Sequence, residues 1–409
     1  MRLTSIWRTK LVVFFTVLAA VWNTFVVFNY QYARQSLEKC PKDIKEQGKT
    51  LVFDKTESQS YLKGLQKEID ETFRRFEAKN HTVGKAFRLA SLHGKRSEER
   101  EQDIEMKTSL PDCKQTPYLL ILVHSAPANF MEREAIRLSW GRPQNSINDA
   151  NAGKQLIPWL WKTVFLVGKT RNPILGGLLR QEAVNYQDIV FGNFIDSYRN
   201  LTRKMVLGVE WAAAHCQAQY VMKADDDSYV AVLELTQWLE GYQRTQGHNK
   251  ALYMGAALIN KEPFREQDNK FYVSVKEYPA KTFPPYASGP GYVFSGNLLT
   301  KLSNAIKVAR LFPNEDACFG ALMQHIKVDL LNNERFTPFS TGKVLYTEEN
   351  GYSLCEFNGP LVIHRISGKQ QIGTHFNVLI VKHASTICEH IKHGIGSTDY
   401  LMDTFWLFH

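Results

Sequence analysis

The chain has 409 residues, 44% hydrophobic and 22% charged, with 25 Gly and 15 Pro. That length suits one large α/β domain with attachments, and the composition excludes collagenous, low-complexity and wholly disordered chains. The net charge is +9, but residues 1–110 carry 20 Lys and Arg against 14 Asp and Glu, whereas the other 299 carry 30 against 27. With the excess outside the candidate fold and no recognisable module, no nucleic-acid partner is expected.

Leu11–Phe28 is an uncharged run of 18 residues broken only by Thr16, Asn23 and Thr24, and it follows Arg2, Arg8 and Lys10. As a helix rising about 1.5 Å per residue it covers roughly 27 Å, enough to span a hydrocarbon core. A cleaved signal peptide would end its apolar region after roughly 7–15 residues at a small-x-small site. This run passes Ala19 and Ala20 and continues through Trp22 to Phe28. The expectation is an uncleaved transmembrane anchor over 11–30, with 1–10 in the cytosol and the rest translocated. Arg34, Lys39, Lys42 and Lys45 blunt the charge asymmetry that would fix this orientation.

All six cysteines (Cys40, Cys113, Cys216, Cys318, Cys355, Cys388) follow the anchor without a C-x-x-C pair. Disulfides are therefore expected and a zinc ribbon is not, with fifteen pairings open. The sequons Asn80-His-Thr82 and Asn200-Leu-Thr202 fit a secretory lumen. Residues 31–112 are charged and poor in long apolar runs, with a Lys- and Glu-rich helical stretch at Tyr61–Ala78. They read as a stem that spaces a folded domain, 113–409, from a membrane.

The texture changes at Pro117. Tyr118–His124 is an apolar run suited to a buried strand, and Met131–Trp140 places Ile136 and Trp140 on one helix face. Strands over Thr163–Val167, Asp188–Phe191 and Tyr220–Lys223 then alternate with helices over Ile174–Tyr186 and Thr202–Cys216. That alternation calls for a mixed, mainly parallel sheet flanked by helices, whose ligands bind beyond the carboxyl ends of the strands.

Asp225, Asp226 and Asp227 follow directly from the Tyr220 strand. A solvated turn is the plain reading of three acids in a row, but at that edge an Asp-x-Asp pair can hold a hard divalent ion. Neither a P-loop nor a G-x-G-x-x-G fingerprint is present. Glu315 and Asp316 precede a helix-like stretch at Ala317–Ile326, where acids stabilise the helix dipole; Asp316 is also placed to serve as a general base. Phe283–Ser295 packs aromatics, Pro and Gly together and reads as a shaped loop whose rings suit a sugar.

In order, Arg133–Gly141, Phe165–Gly168, Asp196–Lys204, Lys223–Tyr229, Tyr286–Val293 and Glu315–Gly320 resemble the motifs of the β-1,3-glycosyltransferase family, which includes β-1,3-galactosyl- and β-1,3-N-acetylglucosaminyltransferases. The resemblance implies a GT-A (Rossmann-like) fold, a type II Golgi membrane layout and Mn²⁺ dependence. It also implies a UDP-sugar donor and inverting transfer, foremost of galactose, to the 3-hydroxyl of a glycan on a glycoprotein or glycolipid. Asp227 and Asp225 match the metal motif, with Asp225 and Asp226 also toward the nucleotide, and Asp316 matches the base. His364 falls where similar enzymes place a late histidine near the metal, and a buried structural histidine is an equal reading. Arg133, Arg137, Asp196 and Lys204 would help build the nucleotide pocket. Ala317-Cys318 and Ser228 depart from the family's usual residues without touching a proposed catalytic atom. An N-acetylglucosaminyl or N-acetylgalactosaminyl transferase, or an inactive glycan-binding partner, are the alternatives; an oligomer is left open. The resemblance fades beyond Ile326, and for the six histidines from His364 onward, which form no metal motif, surface or packing roles are expected.

Overall fold

The computed structural model describes residues 55–93, 111, 113, 116–142, 161–337, 359–366, 368–376 and 378–379. The expected anchor, the start of the stem and the end of the histidine-rich tail lie outside them. No helix of the described residues is long and apolar enough to cross a membrane. One compact unit comprises Lys67–Ser340 with Gly359–Phe376, and the architecture below is that unit's.

Helix α1 (Lys55–His93) enters the unit at Lys67. Thr72 and Phe76 are buried, Lys79 stands over the Tyr186 ring, and Glu68 and Glu77 pair with Arg142 and Lys369. A domain boundary at 113 therefore cuts through one packed body, and this part of the expected stem is a docked helix. Its Phe76 supplies the apolar contact that a freely solvated spacer would lack.

Strands β1 (Leu119–His124), β2 (Trp161–Lys169), β3 (Ile189–Ile195) and β4 (Tyr220–Asp225) alternate with α2 (Phe130–Leu138), α3 (Pro173–Tyr186) and α4 (Leu201–His215). The four strands are parallel and stand in the order β3-β2-β1-β4. All of β1 is buried, as an unbroken apolar run requires of a strand covered on both faces. After β5 (Ser228–Val230) and α5 (Val232–Gln246), β7 (Tyr286–Ser295) pairs antiparallel with β4 and with β6 (Tyr253–Leu258). Helices α6 (Leu299–Val308) and α7 (Glu315–His325) follow, and β8 (Leu331–Asn332) closes the edge parallel to β6. A small second sheet joins β5, β10 (Val362–His364) and β9 (Phe336–Thr337). The result is the mixed, mainly parallel sheet flanked by helices that the alternation implies.

Two expectations need correction. The helix at Met131–Trp140 ends at Leu138, because the amides of Ser139 and Gly141 both turn back to the Ile136 carbonyl. Tyr286–Ser295 is a fully buried strand of the main sheet, where a shaped loop was expected. Its Ser288-Gly-Pro-Gly291 stretch is the irregularity: β6 pairs Gly255 with Tyr292 and Ala257 with Ala287, so the intervening residues bulge out of register. A bulge is where a sheet tolerates proline. Tyr286, Tyr292 and Phe294 consequently pack in the core with Phe319 and are not available to a sugar.

Of the fifteen cysteine pairings, the structure joins Cys113 to Cys216 with Cα atoms 5.3 Å apart, tying the approach to β1 to the end of α4. Cys318 is a buried free thiol, and Cys40, Cys355 and Cys388 lie outside the described residues.

Candidate active site

Strands β1 and β4 end side by side, with His124 in register with Asp225. The chain turns through Asp226 and Asp227 into β5, whose pairing with β10 sets Ser228 opposite His364. His364 Nε2 thereby comes 3.5 Å from Asp227 Oδ2, and the Ile366 amide donates to the Asp227 carbonyl at 2.7 Å. One ligand atom each from Asp225, Asp227 and His364 lie within 4.8 Å of one another. The carboxylates of Asp225 and Asp227 are 30% and 42% exposed, so an ion can reach them. Burial raises the Asp227 carboxyl, and the hydrogen bond and charge of His364 more than offset it, leaving it below the ordinary range. Two carboxylates and an imidazole can hold a divalent cation, and the nitrogen donor tilts the set from Mg²⁺ or Ca²⁺ toward a first-row metal such as Mn²⁺.

His124, Asp225 and Glu315 are equally close together. There, however, the Lys223 ammonium already bonds both Asp225 and Glu315, and a cation would meet its repulsion. Burial, then Lys223 and Lys204, hold the His124 imidazole well below its usual range.

Asp226, expected toward the nucleotide, is buried and turned to Asn129. Its Oδ2 accepts from Asn129 Nδ2 at 2.9 Å and its carbonyl from Gln371 Nε2 at 2.6 Å, while Gln371 Oε1 accepts from Trp140 Nε1. Burial pushes its carboxyl up to about 6, against hydrogen bonds from Ser125 and Asn129. Asp226 braces the turn, and Gln371, beyond the span of the family resemblance, is part of that brace.

Lys223 is the residue sequence reasoning missed. Buried on β4, its Nζ donates to Asp225 Oδ1 at 2.8 Å, Glu315 Oε1 at 3.1 Å and the Gly289 carbonyl at 2.5 Å, and stands 3.8 Å from Asp316 Oδ1. Burial disfavours its charge, but Asp225, Glu315 and Asp316 overcome that and raise its pKa. Asp316 opens α7, capped by Asn314, whose Oδ1 accepts from the Ala317 amide. Burial and then the neighbouring Glu315 raise the Asp316 carboxyl well above the usual range. Its side chain is 20% exposed, yet Oδ1 is buried without a hydrogen-bond partner. Strand β7 passes so close that a Cβ on Gly289 would lie 2.3 Å from Asp316 Oδ2. Gly289 is therefore required by Asp316, with no turn involved.

A cavity of about 560 Å³ opens beyond the carboxyl ends of β1, β2 and β3, lined by Ala126–Ala128, Lys169–Arg171 and Ile195–Ser197. Asp196 is on its wall, with Oδ2 accepting from the Gly168 amide at 2.7 Å and Oδ1 from Lys204 Nζ at 3.0 Å; Lys204 also donates to the Ser125 carbonyl. This pair fastens the three loops to each other. Arg133 and Arg137, expected to help build the nucleotide pocket, do not line this cavity. Arg133 is fully buried and spends its donors on Glu182, Ser125 and the carbonyls of Ala126 and Pro127. Arg137 is held by Glu182 and Asp188 against the Tyr186 ring. Both support the β1–α2 side of the cavity from behind.

The Galactosyltransferase family matches residues 131–334. β-1,3-galactosyltransferase 5 of Pan paniscus is 34% identical over 257 residues, which cover 62% of this chain and 79% of that one. β-1,3-galactosyltransferase 1 of Mus musculus is 31% identical over 258 residues, covering 63% and 72%. Among solved structures, the apo form of the bifunctional glycosyltransferase WbbM overlays with a TM-score of 0.31 at 12% identity, over 67% of this chain and 53% of that chain, which is too loose to argue from. With the Asp225–Asp227 turn and the Glu315–Asp316 helix start both inside the matched span, the chain belongs to the β-1,3-glycosyltransferase family.

Proposed function

We propose that this chain is a UDP-sugar-dependent hexosyltransferase that moves galactose, with inversion, to the 3-hydroxyl of a glycan acceptor. The observation that carries the reading is the placement of two acidic centres on either side of one buried ammonium. Lys223 bonds Asp225 of the Asp225-Asp227-His364 group and stands against Glu315 and Asp316.

The cavity beyond β1, β2 and β3 takes the nucleoside in a GT-A-like arrangement, and the exposed Lys169 and Arg171 on its wall offer positive charge to an anion. Asp225, Asp227 and His364 would hold Mn²⁺, which when bound supplies a Lewis acid for the departing diphosphate. Asp316 accepts the acceptor hydroxyl's proton as that oxygen attacks the anomeric carbon from the side opposite UDP. Burial and the neighbouring Glu315 raise its proton affinity, which strengthens the ionised carboxylate as a proton acceptor. Lys223 and the close approach of Gly289 hold the carboxylate in place. The relatives' names favour galactose over an N-acetylhexosamine, and the intact Asp225, Asp227 and Asp316 favour catalysis over an inactive partner. The apolar run at Leu11–Phe28 and the two sequons support a type II Golgi membrane protein with its catalytic domain in the lumen.

Purified protein should release UDP from UDP-galactose faster than from other UDP-sugars, only with Mn²⁺, and faster again with a glycan acceptor. No release from any UDP-sugar would overturn the reading. Asp227→Ala should abolish Mn²⁺-dependent donor binding by calorimetry. Protease protection in sealed membranes should leave all but the N-terminal tail intact; digestion of the folded domain would reverse the orientation.

A further inference from the structure

The segment between β6 and β7 carries side chains that the transfer step leaves without a task. Phe264 there, and Tyr198 in the β3–α4 loop, expose 49% and 48% of their surface. Phe271 lies between them, its ring centroid 5.8 Å from that of Phe264 and 5.6 Å from that of Tyr198. Lys270 Nζ stands 4.7 Å from the Phe271 centroid and 5.6 Å from that of Tyr198, and among the described residues it has no carboxylate partner.

The cluster is stiff for a surface feature. Arg265 donates to the carbonyls of Val273, Tyr278 and Ala280 at 2.8, 2.9 and 3.0 Å. Arg199 donates to Glu277 at 2.7 Å and to the Tyr272 carbonyl at 3.1 Å, which fastens the β3–α4 loop to the segment. Exposed rings held in fixed positions suit the apolar face of a sugar, and contiguous exposed apolar surface commonly marks a binding site. Its location names the occupant. Tyr198 follows Asp196 and Ser197 on the cavity wall, and Glu315, Asp316 and Asp225 are near enough to add to the rise that burial causes in its phenol. The platform therefore borders the donor cavity, with Tyr198 within electrostatic reach of Asp316.

We propose that Tyr198, Phe264 and Phe271 form the subsite for the acceptor sugar beside the reacting hydroxyl, and that Lys270 makes this subsite select acceptors carrying an acidic substituent. The inference rests on the transferase reading of the same cleft. The shared chemistry is a sugar ring bearing a fixed negative charge, either a uronic carboxylate or a sulfate ester. A ring stacked on Tyr198 and Phe271 would present such a group to the Lys270 ammonium.

The test uses the full chain with UDP-galactose and Mn²⁺ and three disaccharides of one core: neutral, carboxylated and sulfated. The KM for the carboxylated or the sulfated acceptor should be about fivefold below that for the neutral one, and which of them shows the drop identifies the acidic group. Lys270→Ala should remove the difference, and 0.5 M salt should shrink it, the salt acting by screening at about 4 Å. Tyr198→Ala and Phe264→Ala should raise KM for all three by about tenfold. Lys301→Ala, the same charge change on the exposed face of α6, should shift nothing. Equal KM values, or a preference that survives Lys270→Ala, overturn the inference. Saturation-transfer NMR with the same disaccharides and no donor separates the two readings. Lys270-dependent binding without any transfer would sink the transferase and keep the subsite; transfer indifferent to Tyr198 and Phe264 would do the reverse.

Discussion

Two clusters of buried charge stand on either side of β1, and they are satisfied to different degrees. Behind the cavity, every carboxylate oxygen of Glu182 and Asp188 accepts from Arg133 or Arg137, at 2.6 to 2.9 Å. Beyond β4, one ammonium serves Asp225 and Glu315, and Asp316 Oδ1, 3.8 Å away, has no hydrogen bond. A buried polar group left unpaired costs about 1–3 kcal/mol. The first cluster has nothing left to offer a ligand and works as a brace. The second keeps acceptor capacity in reserve, which is what a site meeting a cation on one side and a hydroxyl proton on the other requires.

The sharpest test of that contrast is Asp316→Asn. Transfer should fall by about 10²–10⁴-fold while calorimetry shows unchanged donor binding, because an amide keeps the shape and loses the proton acceptor. Thermal stability should not fall, since asparagine keeps the shape and removes a buried group whose charged form is disfavoured. Arg133→Met should do the opposite. It removes one of the two arginines on buried Glu182 and frees the carbonyls of Ala126 and Pro127, at a cost of about 3–5 kcal/mol in urea unfolding. Donor affinity should fall only as far as the β1–α2 loop loosens. A stable Arg133→Met variant that no longer bound UDP would invert the comparison and make that arginine a ligand contact.

Asp226 lies between the clusters and gives a pH signature. Its carboxyl is held at about 6 against an ordinary 3.8, so the native state binds the proton more tightly than the unfolded chain. The stability this group contributes is fully present below about pH 4 and is lost as pH rises through 6, an effect of about 2–3 kcal/mol. In metal-free protein, Asp226→Asn should remove that decline when unfolding is compared at pH 4.5 and 7. Parallel curves for wild type and variant would show that the carboxylate is solvated.

The two clusters also differed in how far the sequence announced them. Asp225–Asp227 and Glu315-Asp316 stood out because acids interrupt apolar runs at places where a strand ends and a helix begins. Lys223 did not, because inside Tyr-Val-Met-Lys it reads as the polar end of a strand, and the partner that defines it, Glu315, is 92 residues away in sequence. Arg133 and Arg137 were visible as charges, but their sense depends on Glu182 in α3 and Asp188 at the head of β3, contacts made only when β3 lies beside β2. The parallel half of the sheet was legible because its strands are buried on both faces and unbroken. Strand β7 was not, since Ser-Gly-Pro-Gly carries every local sign of a turn and only the neighbouring strands reveal a bulge.

That bulge yields the smallest and most specific prediction. Gly289 and Gly291 both lie outside the positive-φ region, so alanine is acceptable to the backbone at either position and only space distinguishes them. At Gly289 the new methyl would stand 2.3 Å from Asp316 Oδ2, and the carboxylate or the first turn of α7 must move. At Gly291 the nearest atoms are Met222 Cε at 3.1 Å and the Val362 methyls at 3.2 Å, and a methionine terminus yields easily. Overpacking costs about 1–3 kcal/mol in either case. Gly289→Ala should lose about tenfold in kcat with donor affinity intact, because about 1.4 kcal/mol of misplacement falls on the base itself. Gly291→Ala should show its cost in the unfolding midpoint and leave kcat near wild type. Equal kcat losses in the two variants would mean that β7 tunes the cleft as a whole, and that Gly289 has no particular relation to Asp316.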